Sequence, residues 1–217
     1  MNMDEGPFFE WFWSDAPTDE ERELVNQVGE YEDYFQDMLF EPGTSTYELI
    51  QCKSKQEGSD EWIDDEVGRP DELAYFSTTF LKYKVEELGD DMLAYYDKNE
   101  QLICVSPEGL KNKHTVPHEM IHVYEDLINE LPMYYHDMVY WALYKDLKKK
   151  IDNLDDIISS HAHLLTGSTI YSQGGLHDIL FLLKSFDLDI RMGYPLGTVF
   201  GYGKTEEFKD CTYKKEP

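Results

Sequence analysis

The sequence predicts an α+β fold with a small sheet in the first half of the chain and helices in the second. Two observations support this prediction. Runs rich in β-branched and aromatic residues, bounded by Gly, Ser and Asp, precede residue 107, whereas apolar residues recur at helical spacing after residue 115. With 217 residues, of which 41% are hydrophobic, the chain is long enough to bury a core.

The first segment, residues 1–45, is acidic and rich in aromatic residues. Within it, residues 19–40 place Leu24, Val28 and Phe35 on one helical face, and Thr18 precedes a run of acids that suits a helix N-terminus. We expect this helix to pack on a main domain formed by residues 46–217. The alternative is a detachable inhibitory or partner-binding segment.

The sheet is expected next, as a small antiparallel or mixed one. The sequence Asp97-Lys98-Asn99-Glu100 is typical of a hairpin tip and joins two of the predicted strands. The strand-like runs cover residues 46–53, 74–85, 92–97 and 101–106.

The second half of the chain is predicted to be helical. Gly167, Gly174 and Gly175 separate the last two helices, and the final thirty residues, rich in Gly and aromatics, indicate an ordered looping tail. The predicted helices cover residues 116–129, 134–151, 154–165 and 175–187.

The amino-acid composition argues against two classes of binding partner, nucleic acids and membranes. The formal net charge is -26, and residues 1–70 hold 20 acids against 4 basic residues. Such a field repels phosphate backbones and anionic lipid heads, so autonomous binding to nucleic acid or to a membrane is not expected. Three widely spaced cysteines favour a reducing compartment, and without an export signal or a long apolar stretch we expect a cytoplasmic protein.

The motif that carries chemistry is His-Glu-x-x-His at residues 118–122. On a helix, His118 and His122 lie one turn apart on the same face, so both imidazoles can reach one zinc ion. Glu119 beside them is placed to take a proton from water as a general base. Thr115 as a cap and Pro117 in the first turn would start the helix where the motif needs it.

A catalytic zinc site normally has three protein ligands. We favour His136 as the third ligand, because it lies fourteen residues after His122, beyond a break at Leu131-Pro132. The alternatives are Glu125, His161, His163 and His177. The two histidines at 161 and 163 have a competing interpretation as a pair satisfied within their own helix.

The stretch QLICVSPEGLKNKHTVPHEMIHVYED, followed by His136, resembles the SprT-like branch of the zincin metalloproteases. The resemblance covers roughly residues 92–147. It implies a zincin-like fold, zinc as the cofactor, His118, His122 and His136 as zinc ligands, and Glu119 as the general base. The sequence departs from the family in lacking the Gly-His-Gly-like setting of the third histidine and the frequent C-terminal zinc ribbon, so we do not expect a DNA-associated role.

Together these features predict a zinc-dependent metallopeptidase that hydrolyses a peptide or protein substrate, and the acidic composition favours a basic one. Electrophilic assistance is expected from Tyr134, Tyr135, Tyr171, Tyr194 or Arg191, among which spacing does not choose. One alternative is a non-catalytic acidic interaction or inhibitor protein on a zincin-like scaffold. Another is a metal-dependent hydrolase that acts on something other than peptides.

Overall fold

The fold is α+β, with six α-helices and one three-stranded sheet among the described residues. The structure, a computed structural model, describes residues 17–40, 78, 80–89, 92–130, 133–165, 177–203 and 206–214. The helices are α1 (Asp19–Phe40), α2 (Pro107–Lys111), α3 (Thr115–Glu130), α4 (Met133–Lys150), α5 (Leu154–Ser160) and α6 (Ile179–Met192). The strands are β1 (Lys82–Val85), β2 (Ala94–Asp97) and β3 (Leu102–Val105), and two short 3-10 helices cover Ala162–Leu164 and Glu206–Phe208.

Helix α1 begins with a reciprocal cap. The Glu21 backbone N–H donates to Thr18 Oγ1 at 3.1 Å, and the Thr18 N–H donates to Glu21 Oε2 at 2.8 Å. The predicted apolar face is buried, with Leu24 and Phe35 fully covered where α1 packs against α3 and β1. The cap and the face thus confirm the predicted helix. The aromatic cluster at residues 8–13 lies outside the described residues.

The sheet is mixed, in the order β1-β3-β2. Strand β1 runs parallel to β3, and β2 pairs with β3 in the antiparallel sense. The predicted hairpin tip is confirmed, since the Asp97 carboxylate accepts from the backbone N–H groups of Asn99 and Glu100. Among the described residues of the run 74–85, only 82–85 form a strand. The predicted strand 46–53 lies outside the described part of the chain.

The motif helix α3 covers the predicted span, but Thr115 is not its cap. Thr115 is the first helical residue, and its buried hydroxyl has no hydrogen-bond partner among the described residues. The preceding turn is closed instead by Asn112 Oδ1, which accepts from the His114 N–H at 3.0 Å. Pro117 falls in the first turn, as predicted.

Two later helices differ from their predicted bounds. Helix α5 ends at Ser160 and is followed by the short 3-10 helix rather than continuing to residue 165. Helix α6 begins at Ile179 and continues to Met192, because the Asp178 side chain caps it by accepting from the Phe181 N–H at 2.9 Å. It ends at Gly193, whose φ of 71° is the left-handed conformation that glycine favours.

One core joins the sheet to α1, α3, α4 and α6. Helix α3 lies at its centre, packing against β2, α1, α4 and α6, and most of the α6 side chains are buried. Functional groups on α3 are therefore held by packing from several sides. Within the described ranges, every helix is too short or too polar to cross a bilayer.

Candidate metal centre

Three imidazole rings come together where α3 passes the start of α6. One ring nitrogen from each of His118, His122 and His177 lies within 4.8 Å of the other two. The Nε2 atoms of His118 and His177 are 3.0 Å apart. Across the described ranges, this is the group of histidine, cysteine and carboxylate side chains whose spacing suits a metal ion.

The expected third ligand, His136, is not in this group. It lies near the start of α4, where it is buried. Its distance along the sequence from His122 does not determine the direction in which α4 leaves the turn, and that direction decides where the ring points. The structure instead brings His177, which the sequence offered only as a later option, to the two motif histidines. His177 reaches the other two rings because α6 packs against α3.

The rings are enclosed by aromatic side chains. The Phe181 ring centroid lies 4.8 Å from that of His118, 4.6 Å from that of His122 and 4.4 Å from that of His177. Phe200 covers His177, with the ring centroids 5.2 Å apart. This shell removes water from the imidazoles, and burial lowers the pKa of His118 well below its usual value and that of His122 to about 3.

His118 is oriented by the C-terminal part of the chain. Its Nδ1 lies 3.0 Å from the Val199 carbonyl oxygen, which can only accept, so Nδ1 carries the hydrogen and Nε2 keeps its lone pair. The Val199 backbone is fixed in turn by Asp189 of α6, whose carboxylate accepts from the N–H groups of Thr198 and Val199 at 3.1 and 3.0 Å. The orientation of this motif histidine thus depends on a segment 81 residues away.

Glu119, which follows His118 on α3, is enclosed, with 1% of its surface exposed. Its Oε1 accepts from the Tyr202 hydroxyl at 2.8 Å, and its carboxylate also accepts from the backbone N–H of Tyr96 in β2. Burial raises the pKa of Glu119 to about 7, although both hydrogen bonds lower it in part. A carboxyl group with this pKa can accept and return protons near neutral pH.

Tyr202 is the functional side chain that sequence reasoning missed. Its ring stacks on His118, with centroids 3.9 Å apart and planes at 22°. The left-handed φ of 51° at Tyr202 and of 87° at Gly203 turns the chain over the site. A Cβ on Gly203 would meet the His114 ring at 3.0 Å. The clustered glycines of the tail were a signal of close backbone approach, but they did not say to what.

His122 faces a buried polar cluster rather than a carbonyl. Its Nδ1 lies 3.7 Å from Glu125 Oε2. Burial, followed by the neighbouring Asp178, raises the pKa of Glu125 well above its usual value. The fully buried Lys184 interacts with Glu125, and its Nζ lies 3.4 Å from the centre of the Tyr124 ring. Burial lowers the pKa of Lys184 well below its usual value.

The other candidates from the sequence lie elsewhere. Tyr194 packs edge-on against His114, and Arg191 pairs with Asp187 at 3.1 Å. His161 bonds to the backbone carbonyls of Ile157 and Glu207, which confirms the interpretation as a satisfied side chain, and His163 Nδ1 lies 3.2 Å from the Ser160 carbonyl. Tyr171 and the side chains of Tyr134 and Tyr135 fall outside the described part of the chain.

The three imidazoles fit the requirements of zinc. In a tetrahedral site with Zn–N distances of about 2.0–2.1 Å, two nitrogens lie about 3.3–3.4 Å apart, close to the 3.0 Å between His118 and His177 Nε2. Burial lowers the pKa of all three rings and so favours the neutral form that binds metals. Three ligands from the described residues would leave the fourth position of a tetrahedral ion open, which is the pattern of catalytic rather than structural zinc sites.

Comparison with protein-family models finds no match for this chain, and comparisons with curated proteins and with solved structures find none either.

Proposed function

We propose that the protein is a zinc-dependent peptidase with a zincin-like fold, in which His118, His122 and His177 hold the ion and Glu119 is the general base. The observation that carries this proposal is the meeting of two imidazoles from α3 with a third from His177, the residue before the cap of α6. His118 is buried, the other two rings are half-buried, and the buried Glu119 follows His118 in the sequence. Zinc, when bound, polarises a carbonyl group and lowers the pKa of water. The chain supplies the remaining functions.

Glu119 moves the protons. With a pKa of about 7, its carboxylate accepts a proton from the attacking water and returns it to the leaving amine. The Tyr202 hydroxyl and the Tyr96 N–H hold this carboxylate from two sides, so its position is defined before substrate arrives. The nearby aromatic rings keep bulk water from the reacting groups.

Strand β2 is the proposed platform for the substrate. Among the described strands it lies at one edge of the sheet, it runs antiparallel to β3, and it packs against the motif helix. An extended peptide can pair with such an edge through its own backbone. Because the Tyr96 N–H of this strand reaches Glu119, a peptide laid along β2 would pass the general base. The net charge of -26 favours a basic segment, with tighter binding at low salt.

Access to the site requires the segment 194–203 to move. Tyr202 lies against both Glu119 and His118, and Glu119 is almost fully covered. This cover also favours a second candidate function, a zinc-stabilised scaffold that interacts with partners without catalysis. Both candidate functions predict a bound zinc ion, but only the peptidase predicts hydrolysis of a peptide.

The test measures both quantities on the full chain. We expect about one zinc per chain by elemental analysis and hydrolysis of a mixed peptide library. Glu119→Gln should keep the metal and lower turnover by about 10²- to 10⁴-fold. The exposed Glu108→Gln, on α2, is the matched control and should leave both unchanged.

Each outcome has a distinct meaning. Zinc without any hydrolysis by the wild type would favour the scaffold. Retained hydrolysis in Glu119→Gln would refute the general base, and a chain that binds no zinc would refute both candidates.

A further inference from the structure

The two motif histidines differ in how their Nδ1 atoms are supported. His118 Nδ1 has a hydrogen-bond acceptor in the Val199 carbonyl oxygen at 3.0 Å. His122 Nδ1 is buried and has no hydrogen-bond partner among the described residues. Metal-bound histidines almost always donate from their second ring nitrogen to a carboxylate, a carbonyl or water. The site is therefore complete on the side of His118 and incomplete on the side of His122.

Glu125 is placed to complete it. It follows His122 by three residues on α3, so the two side chains lie on one face of the helix. Its Oε2 is 3.7 Å from His122 Nδ1, too long for a hydrogen bond, and its buried Oε1 has no hydrogen-bond partner in the described structure. Two neighbouring side chains thus each have a buried polar atom without a hydrogen-bond partner among the described residues. A movement of about 0.8 Å would close the gap to an ordinary N–H···O distance of about 2.9 Å.

The surroundings hold Glu125 in this place. Asp178, which follows the ligand His177 and caps α6, interacts with the Glu125 side chain. Lys184, six residues after Asp178 and fully buried, also interacts electrostatically with Glu125. Glu125 therefore stands between α3 and α6, at the junction that also brings His177 to the other two rings.

We propose that Glu125 is a positioning residue that accepts the His122 Nδ1–H and so presents Nε2 of that ring to the metal ion. This inference rests on the zinc site of the proposed function. It assigns Glu125 a role beside the ligands rather than the role of a ligand, which the sequence had left open. Glu125 is absent from the group of side chains that suits a metal ion.

The first test reads the tautomer directly in the wild-type chain. In long-range ¹H–¹⁵N spectra of the zinc-loaded protein, we expect His122 to carry its hydrogen on Nδ1 and to bind zinc through Nε2. The Nδ1–H should exchange slowly with water, because it is buried and bonded to Glu125. The opposite tautomer, with zinc on Nδ1, would overturn the proposal without any variant being made.

The second test removes the acceptor. Glu125→Leu should weaken zinc binding about 10- to 100-fold in competition with a chelator and should shift the absorption bands of the cobalt-loaded protein. Glu125→Gln keeps an amide oxygen that can accept the same hydrogen, so its zinc affinity and cobalt spectrum should stay close to those of the wild type. This rescue by the conservative variant separates positioning from a loss of packing.

Tyr34→Phe, on α1, is the matched control, because it removes a different buried hydrogen bond to α6. It removes the 2.7 Å hydrogen bond from the Tyr34 hydroxyl to Asp187, which lies three residues after Lys184. It should lower the melting temperature and leave zinc affinity unchanged. Equal loss of affinity in Tyr34→Phe and Glu125→Leu would mean general loosening and would overturn the proposal, as would wild-type affinity in Glu125→Leu.

Failure of this inference differs from failure of the proposed function. If the wild type binds one zinc and Glu125→Leu binds it equally well, the metal site stands and only the role of Glu125 falls. If the wild type binds no zinc, the metal site falls and the role of Glu125 falls with it.

Discussion

The candidate metal centre is assembled from two regions of contrasting structure. Helix α3 supplies His118, Glu119 and His122 through regular helical spacing. Residues 177–203 supply His177, the Val199 carbonyl and Tyr202 from a cap, a turn and a left-handed residue. In the first region, the helical period of 3.6 residues per turn positions the side chains of the site. In the second region, their positions depend on contacts that form only when the chain folds. The motif positions two of the proposed ligands, and the fold must supply the third and the orientation of the first.

The largest predicted effect is a loss of zinc affinity when the third proposed ligand, His177, is replaced. Zinc affinities at four-ligand sites correspond to roughly 2.5–4 kcal/mol per ligand, so His177→Gln should weaken zinc binding by about 10²- to 10³-fold. His136→Gln should leave it unchanged, because His136 is outside the group of three rings. Chelator competition measures both variants. The reverse order would restore His136 as the ligand and remove residues 177–203 from the centre.

The next effect concerns the backbone of the second region. Gly197 has a φ of 81°, and a Cβ on it would lie 2.1 Å from Phe208 Cδ2. Gly197→Ala should lower the free energy of unfolding by about 3 kcal/mol, through strain and overlap together. Gly29→Ala in α1 has open space and a helical backbone, so it should raise the same quantity by about 0.5–1 kcal/mol. Urea denaturation measures both changes. If the free energy of unfolding rose in both variants or fell in both, the predicted difference between the two regions would be wrong.

A smaller effect is the pH dependence of the turn that holds Val199. Burial raises the pKa of Asp189 from 3.8 to about 8, although its backbone hydrogen bonds lower it in part. A raised pKa in the folded state gives stability that is complete below pH 4 and is lost as the pH rises toward 8. Between pH 6 and pH 7.5, the wild type should therefore lose about 2 kcal/mol relative to Asp189→Asn. Parallel stability profiles of the two proteins, measured after metal removal, would show that Asp189 does not titrate in this way.

The smallest effect concerns the contact between the two regions. Tyr202→Phe removes the hydrogen bond to Glu119 and should lower the free energy of unfolding by about 1 kcal/mol. Because this bond lowers the pKa of Glu119, the variant should have a Glu119 pKa above about 7. Carboxyl ¹³C titration measures it. Tyr96→Phe loses a similar hydroxyl bond, to Asp126, and should leave the Glu119 pKa unchanged. An equal shift in both variants would mean that the Tyr202 hydroxyl has no specific effect.

Sequence reasoning succeeded where the evidence was local. The cap at Thr18, the hairpin at Asp97 and the motif helix all depend on residues within a few positions of one another, and each was found. The α+β class followed from the change of hydrophobic period. The exception was Thr115, whose residue type suits a cap although Asn112 closes the turn. Asn112 and Thr115 are only three residues apart and both residue types suit a cap, so residue type alone does not choose between them.

Sequence reasoning did not predict the contacts between residues that are far apart in the sequence. His177 is 59 residues from His118, and Tyr202 is 83 residues from Glu119. No spacing rule connects such pairs, because the packing of α6 on α3 determines them. The sequence feature that could have indicated His177 is its position directly before Asp178, the cap of an apolar helix. The sign for Tyr202 was weaker, since sixteen tyrosines compete for one place.

The bond between His118 and Val199 has a consequence for biosynthesis. The ring that leads the motif is made early, whereas the carbonyl that orients it follows 81 residues later. Until residue 177 has been added, the nascent chain contains only two of the three proposed ligands and would hold zinc weakly. Tight loading of the proposed site would then wait until the turn at residue 199 has emerged and folded back. Zinc uptake by arrested chains of increasing length would report the moment at which this part of the fold closes.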